Sequence, residues 1–222
     1  MRFYLNTTPS TNGIPFDHLH QLIGCIHKWV GPNQIHDEVS LYCFGWLQGS
    51  RVSNGKLHFP DGARWFISGY DIGMMTELIK GINQQPEMFS GMRVDEVRMR
   101  PTPEFPSEMR FPVAGPVFIR RNNDDGSRQH ILYDDPESSK FLTRTLRRRL
   151  MAAGLTTEDH LNTKVEFDTG YQKARTKKVR IKNIDQRASL CPIIVKGTPE
   201  AVQFAWDVGV GELTGSGFGA LN

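Results

Sequence analysis

Apolar positions along the chain change period several times, and each change marks an element. From residue 2 to 7, Phe3 and Leu5 alternate with polar neighbours, the period of a strand with one covered face. Pro15 then opens a helix to about Val30, with Phe16, Leu19, Leu22, Ile23, Ile26, Trp29 and Val30 at helical spacing. Gly31-Pro32-Asn33 stops it. Residues 39–47, 56–59 and 65–68 read as strands separated by Gly and Asn-Gly turns. Residues 71–82 make a shorter helix, and 93–100 a further strand.

After Pro101, Pro103 and Pro106, which mark a linker, a similar order returns. Residues 113–121 and 129–133 are strand-like around a turn at 122–126. Residues 137–153 form a helix that turns Phe141, Leu142, Leu146 and Leu150 inward and its arginines outward, with Gly154 as cap. Strands are expected at 164–167, 179–182 and 189–195. Thr198 then caps a last helix, with Pro199 in its first turn, that ends near Val208. Each half reads β-α-β-β-α-β, the second with extra hairpin material. The expected class is α+β: tandem ferredoxin-like domains at 1–110 and 111–222.

Composition supports packed cores. Hydrophobic residues are 38% of the 222, with 13 Phe and 4 Trp, so general disorder is not expected. No apolar run approaches the roughly 18 residues of a membrane helix. Residues 1–6 show no signal-peptide pattern, so the expected location is the cytoplasm, with no membrane partner. Cys25, Cys43 and Cys191 form neither a disulfide framework nor a zinc pattern. His18, His20 and His27 lack an acidic or thiol partner at ligand spacing, and no metal or other cofactor is expected.

The net charge of +3 conceals a split, because residues 140–187 hold 13 basic against 5 acidic side chains. One cluster is Arg144, Arg147, Arg148 and Arg149; the other is Lys173, Arg175, Lys177, Lys178, Arg180 and Lys182. Such a field favours polyanions, although a solvated helix face and a charged hairpin give the same count. The stretch 173–178 reads as a hairpin tip able to order on a bound polyanion.

The tail carries Gly209, Gly211, Gly215, Gly217 and Gly219, with Phe218 between the last two. Thr214 stands where a dinucleotide fingerprint needs glycine, and a Walker loop would need Gly-Lys. Two readings remain: a tight turn packed on its neighbours, or backbone N–H groups presented to phosphate.

Gly-apolar-Gly, five residues, then Gly-aromatic-Gly after a helix looks like the closing motif of the RAMP superfamily. More narrowly, the chain resembles the CRISPR repeat-RNA processing endoribonucleases, the sixth CRISPR-associated family. Residues 187–197 resemble the strand before that family's last helix, and His36-Asp37 with residues 41–47 its catalytic-histidine segment and next strand. The family's spacer usually holds a Lys or Arg, whereas residues 212–216 hold none.

The resemblance implies metal-independent cleavage of CRISPR repeat RNA. The 2′-OH attacks the adjacent phosphate and leaves 2′,3′-cyclic phosphate and 5′-OH ends. His36 is the expected proton carrier, since an imidazole titrates near neutrality. Tyr42, Lys28, Arg51, His20 and His27 are the supporting candidates. Arg144, Arg147, Arg148, Lys173, Arg175, Lys177, Lys178 and Arg180, with the tail glycines and Phe218, are the expected contacts to a hairpin or single-stranded RNA. His58, His130 and His160 read as surface residues. Kept beside this reading is a non-catalytic RAMP subunit that holds guide RNA among other effector subunits, with a homodimer as a further arrangement. A ferredoxin-like protein acting on small molecules is a third.

Overall fold

The computed structural model describes residues 1–31, 39–181 and 183–222. The first unit comprises β1 (Arg2–Thr7), α1 (Leu19–Val30), β2 (Tyr42–Phe44), β3 (Arg51–Ser53), β4 (Lys56–His58), β5 (Arg64–Gly69), α2 (Ile72–Gln84) and β6 (Val94–Met99). Its sheet has the order β2-β5-β1-β6 with antiparallel neighbours, and β3–β4 is a hairpin inserted between β2 and β5.

Strand alternation assigns the two sheet faces. Phe3 opposite Ile67 and Leu5 opposite Trp65 join Leu22, Ile26, Trp29, Met75, Leu78 and Ile82 of the two helices in one core. On the other face, Phe66 and Cys43 meet Ala220 near the C-terminus. Both faces are covered, so β5 is buried at every position after Arg64. Helix α1 starts at Leu19 instead of Pro15, because Ile14 exchanges two 2.8 Å backbone hydrogen bonds with Leu57. Phe16 is accordingly left outside, 60% exposed. Asp71 caps α2, its carboxylate accepting the Met74 N–H at 2.8 Å.

The second unit comprises β7 (Glu108–Phe111), β8 (Ile119–Asn122), β9 (Arg128–Ile131), α3 (Ser138–Ala152), α4 (Glu158–Leu161), β10 (Lys164–Phe167), β11 (Arg175–Ile181), β12 (Ile184–Leu190), β13 (Ile193–Lys196) and α5 (Pro199–Val208). Its sheet has the order β10-β13-β7. The C-terminal segment supplies a fourth, irregular position beside the continuation of β7, through Ala114 N–H to Ala220 O at 2.7 Å and a bridge between Val113 and Leu221. The fold is the expected tandem ferredoxin-like arrangement, with β8–β9 and β11–β12 as added hairpins.

Three expectations change in detail. β7 spans the position set for the domain boundary and pairs wholly with the second sheet. The strand expected at 189–195 is two strands, parted where Pro192 has no N–H to give a ladder. The stretch 173–178 is not a hairpin tip: β11 begins at Arg175 and pairs along its length with β12, from Arg175 opposite Leu190 to Ile181 opposite Ile184. Among the described residues no helix is long and apolar enough to cross a membrane.

Candidate nucleic-acid interface and catalytic cleft

Helix α5 ends where Gly209 takes φ 75°, and the chain then doubles back between the two units. Glu212 N–H bonds Phe118 O at 2.7 Å, Leu213 adopts φ 57°, and residues 214–216 make a 3-10 turn. This loop presses on β2. The Tyr42 hydroxyl donates to Gly215 O at 3.2 Å, and Trp46 Nε1 donates to Gly217 O at 2.8 Å. A Cβ on Gly215 would lie 2.9 Å from the Tyr42 ring, and one on Gly217 2.9 Å from Phe44. Phe218 is 0% exposed and stacks on Phe118 at 5.4 Å.

These glycines serve a close approach of protein to protein. Gly209, Gly211, Gly215, Gly217, Phe218 and Gly219, the tail's expected RNA contacts, are all buried residues. Of the six, Gly211 lines an open cleft.

That cleft, about 410 Å³, lies at the junction of the units. Val39 and Ser40 form its edge on the first unit. Arg120, the α3 residues Thr145, Arg148 and Arg149, and the loop residues Gly211, Glu212, Leu213, Thr214 and Ser216 form the rest. Arg149 is 6% exposed and donates to the carbonyls of Gly209 and Gly211. Burial pushes its pKa down to about 10, so it stays charged at neutral pH. Arg120 pairs with Glu212 at 2.8 Å. Three arginines thus face one carboxylate among the described lining residues.

A wider groove of about 800 Å³ runs along the outer face of α3 and β10. Lys140, Arg144, Arg147 and Arg148, three or four residues apart on one helix face, share it with Lys164 and the single acid Glu166. Arg144 lies over the Phe141 ring at 4.6 Å, and Arg147 Nε donates to Thr163 O at 3.2 Å, so both guanidinium groups are braced. The structure therefore brings together Arg144, Arg147 and Arg148 as expected. It adds Lys140 and Lys164, which the sequence reading missed although Lys140 sits one turn before Arg144.

The second cationic cluster is divided. In β11, Lys177 lies 4.5 Å over the Trp46 ring and Val179 enters the first unit's core, on one strand face. Lys178 and Arg180, on the other face, both pair with Asp185, at 3.2 and 2.7 Å. Lys173 and Arg175 are exposed at the strand's start.

In the first unit, His36 lies outside the described residues. Tyr42 is 3% exposed, burial pushes its phenol up to about 12, and its hydroxyl donates to Gly215 O. Lys28 Nζ donates to Glu87 O, and Arg51 pairs with Asp61 at 3.0 Å. The exposed His20 holds its Nδ1 2.9 Å from Asp17 O, and the half-buried His27 lies further along α1. None of these four lines the cleft. His18 is buried, with its pKa lowered by desolvation, and His160 bonds Glu200 at 2.8 Å. Among the described residues no group of His, Cys, Asp or Glu is arranged to hold a metal ion.

Comparison with known proteins adds the following. Residues 100–222 match the family profile of "CRISPR associated protein Cas6, C-terminal". No curated protein matches the sequence. Among solved structures, a Cas6-related protein from Pyrococcus furiosus superposes with a TM-score of 0.87 at 20% identity, covering 100% of this chain and 97% of that one. A RAMP protein described as binding different RNA substrates gives 0.84 at 19% identity, covering 100% and 98%. A Cas6 product complex gives 0.64 at 13% identity, covering 99% and 98%. At these identities the superpositions speak to the fold.

Proposed function

The chain belongs to the Cas6 family of CRISPR-associated proteins, and on that premise we propose that it is a metal-independent endoribonuclease that cleaves CRISPR repeat RNA. The observation that carries the reading is the continuity between groove and cleft: Arg148 lines both. Cations along the groove hold the RNA backbone through its phosphates, largely regardless of sequence. The cleft then receives one ribose-phosphate.

The reaction needs a base at the 2′-OH, an acid at the departing 5′ oxygen and positive charge at the phosphate. His36 is assigned the proton transfer. Three Cα-to-Cα steps separate it from Val39 at the cleft's edge, about 11 Å at full extension. An imidazole with an unperturbed pKa of about 6.5 serves as either base or acid near neutrality. The likeness to a RAMP protein described as binding different RNA substrates supports RNA as the ligand.

The test is incubation with hairpin repeat RNAs in EDTA, followed by analysis of the ends. Cleavage to 2′,3′-cyclic phosphate and 5′-OH products is expected. His36→Ala is expected to remove cutting and to leave RNA affinity within about threefold of wild type, since groove cations dominate binding. Undiminished cleavage by His36→Ala would remove the assignment of that residue. The likeness to a RAMP protein named for RNA binding favours a second reading, a subunit that holds guide RNA without cutting it. Tight binding with no cleavage of any repeat RNA would select it.

A further inference from the structure

The three cleft arginines differ in what they have left to offer a ligand. Arg120 is held 2.8 Å from the Glu212 carboxylate. Arg149 is buried, with its guanidinium bonded to the Gly209 and Gly211 carbonyls. Arg148 is exposed and makes no hydrogen bond or ion pair among the described residues. Neighbouring Arg149 repels it, so an anion placed between them relieves an existing conflict.

The loop side of the cleft holds a second unanswered group. Thr214 is 0% exposed, and its Oγ1 has no hydrogen-bond partner among the described residues. Buried hydroxyls are ordinarily bonded, so a buried one without a partner in a cleft wall calls for an acceptor. Ser216, two residues on, lines the same cleft and is half-buried. A phosphodiester has two non-bridging oxygens, which suits a guanidinium on one side and hydroxyls on the other.

We infer that the cleft is a phosphate subsite in which Arg148, together with the hydroxyls of Thr214 and Ser216, holds the phosphodiester that the groove delivers. Because Arg148 also lines the groove, RNA seated there passes into the cleft across a single guanidinium. Under the cleavage reading above, on which the rate arm of the test rests, this phosphate is the scissile one. Charge on its oxygens grows as the 2′ oxygen attacks, so a guanidinium beside them acts on rate more than on affinity.

Single-turnover cleavage at saturating repeat RNA gives the first arm. Arg148→Ala is expected to lower the rate constant by about 10²-fold and to raise Kd by less than about tenfold, with Arg148→Lys recovering part of the rate. An unchanged rate, or a loss confined to Kd, overturns the inference. Arg144→Ala, which alters the groove alone, is read in Kd. An unchanged melting temperature for Arg148→Ala confirms that the fold is intact, as expected for an exposed helix position.

The second arm needs no cleavage. The wild type is expected to bind a short RNA ending in a 3′-phosphate about tenfold more tightly than the same RNA ending in 3′-OH, and Arg148→Ala to bind both alike. A wild type without that preference, or an Arg148→Ala variant that keeps it, overturns the subsite. A protein that shows the preference and cuts no RNA retains the subsite and loses the catalytic reading.

Discussion

A Cβ on Gly219 would meet the carbonyl oxygen of Val210 at 1.8 Å, and the residue sits at φ 63°. Neither strain can be relieved by a side chain turning away, because the obstacle is backbone. Gly126 shares the positive φ, at 79°, but has nothing within 4 Å of the same position. Gly219→Ala is therefore expected to destabilise the protein by about 3 kcal/mol or more, and Gly126→Ala by about 1 kcal/mol. Thermal unfolding distinguishes them, the first variant melting roughly 6–12 °C below wild type and the second within about 4 °C. Equal shifts would mean that the tail does not pack as tightly as described.

The same residues show how far the sequence could be read. Five glycines within eleven residues signal close approach, because only glycine lets backbones meet at such distances. It does not signal what is approached. Here the answer is Tyr42, Phe44, Trp46 and Phe118, which are distant in sequence. By contrast Thr198 was legible as a cap, because the bond it makes to the Ala201 N–H, at 3.1 Å, lies within its own helix turn.

At the scale of elements, the β11–β12 hairpin explains why a charge run misled. Residues 173–178 carry no hydrophobic alternation, so nothing local marks a strand. The pattern emerges only with Val179 and Lys177, whose shared face meets Trp46 and the first unit's core. On the opposite face, Asp185 accepts from Arg180 at 2.7 and 3.0 Å and pairs with Lys178. These bonds depress the Asp185 carboxyl from 3.8 to about 2. A carboxyl depressed by folding stabilises the hairpin above its unfolded value and loses that contribution as pH falls toward the folded one. Amide protection in residues 178–187 is therefore expected to decline between about pH 4 and pH 2 before the cores unfold. Asp185→Asn should show the loosened hairpin already at neutral pH and no further hairpin-specific loss in that window. An acid profile identical in wild type and variant would discard the pairing as a stabilising feature. β7 was hidden differently: it follows directly on the proline-marked segment, and its partner β13 lies more than eighty residues later.

At the scale of the molecule, the two units share their interiors. Phe118, Val179, Ala188 and Phe218 of the second unit are buried in the first unit's core, and Leu41 and Tyr70 of the first pack against the second's. Arg2 lies between the Phe66 and Trp206 rings, 4.2 and 3.6 Å from their centroids, and donates to Trp206 O. The Met1 amine bonds Asp207 at 2.6 Å. The order of elements, and hence the repeated fold, follows from periodicity within each half; the cleft does not, because its walls come from both halves and from the tail that joins them. Such interdigitation predicts that the halves cannot melt apart. Calorimetry is expected to give one transition, with an enthalpy of about 150 kcal/mol near 60 °C for a chain of this length and agreement between calorimetric and van't Hoff values. Two resolved transitions, or a van't Hoff enthalpy near half the calorimetric one, would show that the units fold independently. The cleft would then be a contact between mobile partners, its Val39 and Ser40 edge shifting against Arg148, Thr214 and Ser216 of the second unit.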